Sequence, residues 1–270
     1  MSVTALHTAA TGLSALNTAL EVTANNLANV NTNGFKASRV NFQDLLYIDR
    51  GQAGVAGLDD VRRPIGTQVG LGVRVTGTQL SFREGSPIQT DRELDLTIDG
   101  LGFFQVEVQD DLGERGIAYT RAGNFTLNSE GQLVLASDRG RVLTPVIDIP
   151  PDAITLTVTA DGTVFVSLPG VAQPQEQGQI QLATFVNPSG LKQVGETLFV
   201  ETEASGVPVV GEPGQDNFGQ ILQGFVEGSN VDPTSELIEL IRAQRAFEIN
   251  SNTIRAADET LRTISTTLRR

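Results

Sequence analysis

Apolar residues in the first 35 positions recur at alternating steps of three and four. This spacing is typical of the seam of a coiled-coil helix. The seam consists of Leu6, Ala9, Leu13, Leu16, Leu20, Thr23 and Leu27. The opposite face carries small uncharged polar residues, whereas a helix that faces water normally carries Lys and Glu. Residues 1–35 therefore predict a heptad helix that packs closely against other helices.

The helical pattern ends in a stretch rich in Asn that closes on Gly34. Asn and Gly tolerate left-handed backbone angles, so this stretch predicts a helix C-cap and a turn. Residues 36–72 follow, and the part from 49 to 72 is rich in Gly and has no clear period. The pattern predicts an extended linker or insertion.

From residue 73 to residue 231 the period changes to two, which is typical of half-buried strands. The clearest alternating runs are 73–76, 94–98, 104–108, 154–158 and 180–183. Turn residues separate such runs, for example Asp161-Gly162 and the stretch 128–131. Many short strands without helices between them predict an antiparallel β domain of the barrel or sandwich type.

The last segment, 232–270, returns to a helical period. Asp232 is a suitable N-cap, Pro233 suits the first helical position, and Glu236 lies in the first turn where the helix dipole favours an acid. A heptad repeat then runs through Leu240, Phe247, Ile254, Leu261 and Leu268, with Ala243, Asn250, Ala257 and Ile264 at the partner positions.

The predicted fold class is mainly β with α-helical ends. An antiparallel β domain is inserted between N- and C-terminal heptad helices that pair as a coiled coil. The helices can also pack against other subunits, and their small polar surface favours lateral packing among many copies. Isolated helices of this kind are marginal, because most helix stability comes from tertiary packing.

The net charge of −13 lies almost wholly in the middle of the chain. Residues 1–35 carry only Glu21, and residues 232–270 balance six acids with six Arg. This distribution argues against nucleic acid as a partner, since binding to the phosphate backbone needs a basic surface. The chain has no Cys and a single His, His7, which excludes disulfides and thiolate sites and leaves little imidazole chemistry.

No catalytic, cofactor-binding or metal-binding residue is predicted, and no cofactor. Asp91, Glu93 and Asp95 alternate and would share one face of a strand as a cation site, but a solvated acidic face is the more common outcome. The Asn25-Asn26 pair is better explained by hydrogen bonds between helices, where a buried Asn fixes register. The first ten residues contain no Lys, Arg or continuous apolar stretch, so no cleaved secretory signal is predicted.

Four motifs resemble those of flagellar rod and hook proteins, and they follow one another along nearly the whole chain. The most specific is Ala24-Asn25-Asn26-Leu27-Ala28-Asn29-Val30-Asn31-Thr32-Asn33-Gly34-Phe35-Lys36, preceded by Gly12-Leu13-Ser14-Ala15. The others lie at residues 94–104, 119–125 and 228–250, the last including Gln244-Arg245-Ala246-Phe247-Glu248-Ile249-Asn250. Segments 42–47 and 66–74 are most similar to distal-rod members of this basal-body rod family.

The resemblance implies a structural subunit, not an enzyme, that polymerises into a helical tube and transmits torque from motor to hook. It implies location in the basal body across the periplasm, export by the flagellar type III apparatus without signal cleavage, and contact of segment 49–72 with neighbouring subunits. The implied partners are further copies of the chain, proximal rod proteins, the hook protein, the surrounding ring proteins and the export apparatus. The predicted assembly interface comprises Leu6, Leu13, Leu16, Leu20, Asn25, Asn26, Leu27, Asn29, Gly34, Phe35, Leu240, Gln244, Arg245, Phe247, Asn250, Ile254, Leu261, Ile264 and Leu268.

Two alternatives remain at this point. One is a neighbouring member of the same family, either the outermost proximal rod protein or the hook protein. The other, from a different class, is an enzyme that cleaves peptidoglycan. Such an enzyme needs two carboxylates with separated pKa values, and the sequence marks out no such pair.

Overall fold

The computed structural model describes residues 2–51, 65–108, 116–171 and 173–267. The chain divides into two compact units. The first contains Met1–Ala28, Ser38–Gln79 and Asp232–Arg270, and the second contains Asn29–Ala37 and Leu80–Val231. The described residues form a mainly β fold with one helix at each end and antiparallel strand pairing. The predicted fold class is confirmed at this level.

Both predicted terminal helices are present in the first unit. Helix α1 covers Ser2–Ala28 and helix α2 covers Pro233–Thr267. The chain leaves α1 through a turn in which Thr32 N donates to Asn29 O at 3.1 Å, as the Asn-rich stretch predicts. Within the described part of the chain, neither helix combines the length and apolar character needed to cross a membrane.

A long two-stranded ribbon completes the first unit. Strands β1 (Ser38–Asp44) and β2 (Tyr47–Gly51) pair with β4 (Val73–Leu80) and β3 (Thr67–Gly70), respectively. Three of these strands lie within the predicted extended linker or insertion over 36–72, of which residues 52–64 lie outside the described set. Strands β2 and β3 bury little of either face, so their sequences do not acquire the alternation that a core imposes.

The ribbon also corrects the predicted start of the β domain at residue 73. Strand β4 pairs with β1, and most of it belongs to the helical unit. The ribbon contacts α1 at Gly72, where a Cβ would lie 2.2 Å from Oγ1 of Thr11 and 3.3 Å from Cα of Thr8. Part of the polar face of α1 is thus covered within the same chain.

The second unit contains sixteen strands in the described residues, β5 to β20. In chain order they are Pro87–Gln89, Leu96–Asp99, Phe103–Glu107, Ile117–Thr120, Phe125–Leu127, Leu133–Leu135, Leu143–Thr144, Thr155–Val158, Thr163–Ser167, Gln175–Gln179, Leu182–Thr184, Lys192–Gly195, Leu198–Val200, Val209–Gly211, Gln220–Gln223 and Phe225–Glu227. The largest sheet has the order β16-β17-β8-β7-β15-β18, with β11 also paired to β7. A three-stranded sheet has the order β12-β13-β14.

The largest sheet has a core on each face. Neighbouring residues of a strand point to opposite faces, so Phe104 joins the main cluster while Phe103 joins a smaller aromatic cluster. In the smaller cluster Phe103 packs edge-to-face against Phe199, and Tyr119 packs edge-to-face against Phe185. These two clusters give the second unit the burial that a small domain needs for independent stability.

The two predicted turns are also present. Asp161-Gly162 lies between β12 and β13, and residues 128–131 lie between β9 and β10. In the second turn the Asn128 side chain accepts hydrogen bonds from the backbone N of Glu130 and Gln132, at 2.9 and 2.8 Å. Both turns are therefore specified by their own side chains.

Candidate assembly interface

The two terminal helices contact each other in antiparallel orientation. Nδ2 of Asn26 donates to Oε1 of Glu236 at 3.2 Å. Toward the other end of the pair, a Cβ on Gly12 would lie 3.3 Å from Nδ2 of Asn250. Fourteen residues separate the two contact points on each helix, so the helices keep a constant register over about 21 Å.

Asn26 also fixes the ribbon to the end of α1. Its Nδ2 donates to Ser38 O at 2.9 Å, and its Oδ1 accepts from Ser38 N at 2.9 Å. This pair of hydrogen bonds is the pattern that a neighbouring strand would make with the first residue of β1. The Asn26 side chain is only 2% exposed. This confirms that Asn26 hydrogen-bonds between elements, although one of its two partners is a strand.

Helix α2 begins with the predicted cap. Oδ1 of Asp232 accepts from Thr234 N at 3.1 Å, and Oδ2 accepts from the Ser235 hydroxyl at 2.6 Å. These hydrogen bonds lower the pKa of Asp232, and the one from Ser235 has the largest effect. One turn later, burial raises the pKa of Glu236, opposed by the hydrogen bond from Asn26.

The side chains at the predicted heptad positions are only partly buried within the single chain. The leucines at the α1 positions Leu6, Leu13, Leu16, Leu20 and Leu27 are half-buried, as are Leu240, Asn250, Ile254 and Leu261 of α2. Asn29 is half-buried, whereas Asn25, Gln244, Arg245 and Phe247 are exposed. Leu268 and the side chain of Ile264 lie outside the described set.

Helix α2 leaves several large apolar side chains exposed. Their exposed fractions lie between 37% and 66%, and they belong to Leu237, Ile238, Ile241, Phe247 and Ile249. Neither α1 nor the ribbon covers these side chains. The helical unit therefore has apolar surface beyond what the pairing of its own two helices buries.

The remaining predicted site residues, Gly34 and Phe35, lie in the second unit and are buried. Gly34 has a φ of +69°, and a Cβ there would lie 2.4 Å from the backbone N of Ala122. Only glycine fits both the left-handed angle and the close approach. Gly34 therefore shapes the turn that follows α1 instead of forming part of a helix surface.

Sequence reasoning missed a buried ionic cluster next to this turn. Oε1 of Glu227 accepts from Nζ of Lys36 at 2.5 Å, and its Oε2 lies 3.4 Å from Nη1 of Arg121. The three side chains are at most 4% exposed. Burial lowers the pKa of both Lys36 and Arg121, and the Glu227 carboxylate opposes this in each case. The one available signal was an acid, Glu227, in an otherwise apolar short strand.

The three acids Asp91, Glu93 and Asp95, which were weighed as a cation site against a solvated acidic face, do not converge. The strand begins only at Leu96, and Asp91 has a φ of +56°. Glu93 accepts a hydrogen bond from Leu156 N at 3.1 Å, while Asp95 is buried and lies 3.6 Å from Arg92. Within the described residues no group of three His, Cys, Asp or Glu side chains is arranged to hold a metal.

Three family models match the chain, in the order of the four motifs. Residues 6–36 match "Flagella basal body rod protein", residues 97–166 match "Flagellar hook protein FlgE/F/G D1 domain", and residues 222–267 match "Flagellar basal body rod FlgEFG protein C-terminal". Together they cover most of α1, all of α2, the turn with Gly34 and Lys36, and the strands around Arg121 and Glu227.

Curated rod-protein relatives match over nearly their full length. The flagellar basal-body rod protein FlgG of Buchnera aphidicola subsp. Schizaphis graminum is 45% identical over 94% of this chain and 96% of its own. FlgG of Caulobacter vibrioides is 45% identical over 97% and 98%. The flagellar hook protein FlgE of Salmonella typhimurium is 40% identical over only 43% of this chain and 28% of its own.

Proposed function

This chain belongs to the flagellar basal-body rod protein family, and we propose that it is the structural subunit of the distal rod. In this role it polymerises into a helical tube that transmits torque from the motor to the hook. Many weak contacts repeated between identical subunits supply the strength, and a heterologous interface that does not close on itself produces a helical polymer.

The observation that carries this proposal is the uncovered apolar surface of α2. Leu237, Ile238, Ile241 and Ile249 are each at least 45% exposed on one helix. Contiguous apolar patches on soluble proteins mark interaction sites. Other copies of the chain would bury these side chains, and the two terminal helices, paired as an antiparallel coiled coil, would form the inner wall of the tube.

The partners follow from position in the axial structure. The subunit would contact proximal rod proteins at one end of its segment, the hook protein at the other, and ring proteins around it. It would reach this place through the flagellar type III export apparatus without signal cleavage. The acidic middle of the chain would disfavour association before export, because like charges repel at short range.

The two alternatives are less well supported. The hook-protein match covers less than half of this chain, whereas the rod-protein matches cover nearly all of it. A peptidoglycan-cleaving activity requires a carboxylate pair in a cleft, and the relatives are named as rod proteins. We therefore propose a structural role without catalysis.

Electron microscopy of basal bodies from a strain that lacks this gene tests the proposal. We expect short proximal rods without a distal rod or hook, and restoration of both by the wild-type gene. Normal rods that carry hooks would contradict the distal-rod assignment. Rods that are complete but end without a hook would place the subunit further out along the axis and would also contradict it.

A further inference from the structure

Three segments of the second unit converge on Glu227 and Asn230. They are the segment after α1 (29–37), the segment after the ribbon (80–86) and the segment before α2 (227–231). Gly34 N donates to Glu227 O at 2.8 Å, and Ser81 N donates to Ala37 O at 2.8 Å. Every point at which the chain passes between its two units borders one of these segments.

The Glu227 carboxylate is the only acid in direct contact with two buried cations in the described residues. It accepts from Lys36, from Arg121 and from Gly85 N, the last at 2.9 Å. Lys36 also donates to Arg83 O at 2.8 Å. Without Glu227 both cations would lose the carboxylate in direct contact with them, and Glu84 would act on them only at longer range. Breaking a buried ion pair by removing one partner is strongly destabilising.

Asn230 joins the same three segments through its amide. Its Oδ1 accepts from Ala37 N at 2.7 Å, and its Nδ2 donates to Ser81 O at 2.7 Å and to Arg83 O at 3.0 Å. The side chain thus satisfies backbone groups of Ala37 and Ser81 and shares the carbonyl of Arg83 with Lys36. Asn230 binds the residue that follows Lys36, while Glu227 binds the Lys36 ammonium.

We propose that residues 227–230, here called the clasp, hold the segment after α1 in its folded position. This segment therefore adopts its folded conformation only when both ends of the chain are present. Lys36 and Glu227 are 191 residues apart in the sequence. A chain that stops before residue 227 removes the carboxylate that contacts Lys36 and Arg121 and does not complete this unit. In the polymer, where every subunit carries load, the clasp would exclude incomplete subunits; this consequence rests on the proposed function.

The two lysines of the chain offer a direct test. Lys36 is fully buried and Lys192 is exposed, so Lys192 is an internal reference for the rate of acetylation of the folded monomer. In the wild type we expect Lys36 to react far more slowly than Lys192. In Glu227→Gln we expect the Lys36 rate to rise roughly 100-fold or more relative to Lys192, while the amides of Phe104 and Leu182 keep their protection from hydrogen exchange.

Two further variants separate the clasp from general destabilisation. Glu107→Gln removes the same charge from an exposed position and should leave Lys36 unreactive. Asn230→Ala keeps the ionic cluster but removes three hydrogen bonds, and we expect it to raise the Lys36 rate by about tenfold or more. Unchanged Lys36 reactivity in both Glu227→Gln and Asn230→Ala, or equal loss of protection in the core amides, would overturn the clasp. The monomer assay is independent of whether the subunit builds the distal rod.

Discussion

Asn26 and Glu236 lie 210 residues apart in the sequence and share a hydrogen bond of 3.2 Å between Nδ2 and Oε1. The same Asn26 amide also binds both backbone groups of Ser38. One buried side chain therefore ties α1, α2 and the ribbon together. A position with this many partners tolerates no apolar replacement, since each lost partner leaves a buried polar group unsatisfied.

We predict that Asn26→Ala destabilises the helical unit by about 1–3 kcal/mol. The backbone N of Ser38 should lose its protection in hydrogen exchange, and the α-helical signal should unfold at lower urea concentration. Asn17→Ala is the matched control, because Asn17 makes an exposed bond of 2.7 Å to Glu21 within α1, and we expect it to change stability by less than about 0.5 kcal/mol. Equal effects of the two substitutions would contradict the role given to Asn26.

The cap of α2 should make its first turn sensitive to acid. The pKa of Asp232 is lowered in the folded state, so its stabilising contribution is complete above the ordinary Asp pKa of about 3.9 and is lost as the pH falls through the lowered value. We expect the exchange of the Thr234 amide to accelerate in that range. Asp232→Asn caps without titrating and should remove this pH dependence, whereas Asp232→Ala should exchange rapidly at every pH. Acceleration that persists in Asp232→Asn would show that another group is responsible.

Gly34 has two independent reasons to be glycine, and they can be separated. Gly34→Ala should destabilise the second unit by at least about 2 kcal/mol, because it adds backbone strain and a clash with Ala122 N. Gly206 has a similar φ of +78° with no atom near its missing Cβ, so Gly206→Ala carries the strain alone. We expect thermal unfolding to show a clearly larger loss for Gly34→Ala. Equal losses would mean that the Ala122 contact relaxes easily.

The elements of this protein were largely predictable, while their partners were not. Heptad spacing gave both helices, and Asp232 with Pro233 gave the start of α2, since these signals act within a few residues. Strand β4 was also recognised by its alternation, but alternation says which face is buried and not which strand lies alongside. The pairing of β4 with β1 therefore emerged only in three dimensions.

The buried ionic cluster shows the same limit at the level of side chains. Lys36 was visible in the N-terminal motif, and a lysine after a turn is usually solvated. Its burial depends on Glu227, which lies in a strand of three residues that is too short to show a period. Local sequence cannot reveal a charge pair whose members are 191 residues apart.

The exposed apolar side chains of α2 should matter for assembly and little for the monomer. Ile249 is 66% exposed, so Ile249→Asp should change monomer stability by less than about 0.5 kcal/mol and yet prevent rod formation, because a buried unpaired carboxylate is costly in a polymer contact. We expect Leu27→Asp and Phe247→Asp also to block assembly while the β core stays folded. Gln175→Asp, on an exposed strand of the second unit, is the control and should assemble. Electron microscopy of basal bodies and thermal unfolding of the purified chain give the two readouts. Normal rods built from Ile249→Asp would show that this face of α2 remains in water, and would remove the observation on which the proposed polymer contact depends.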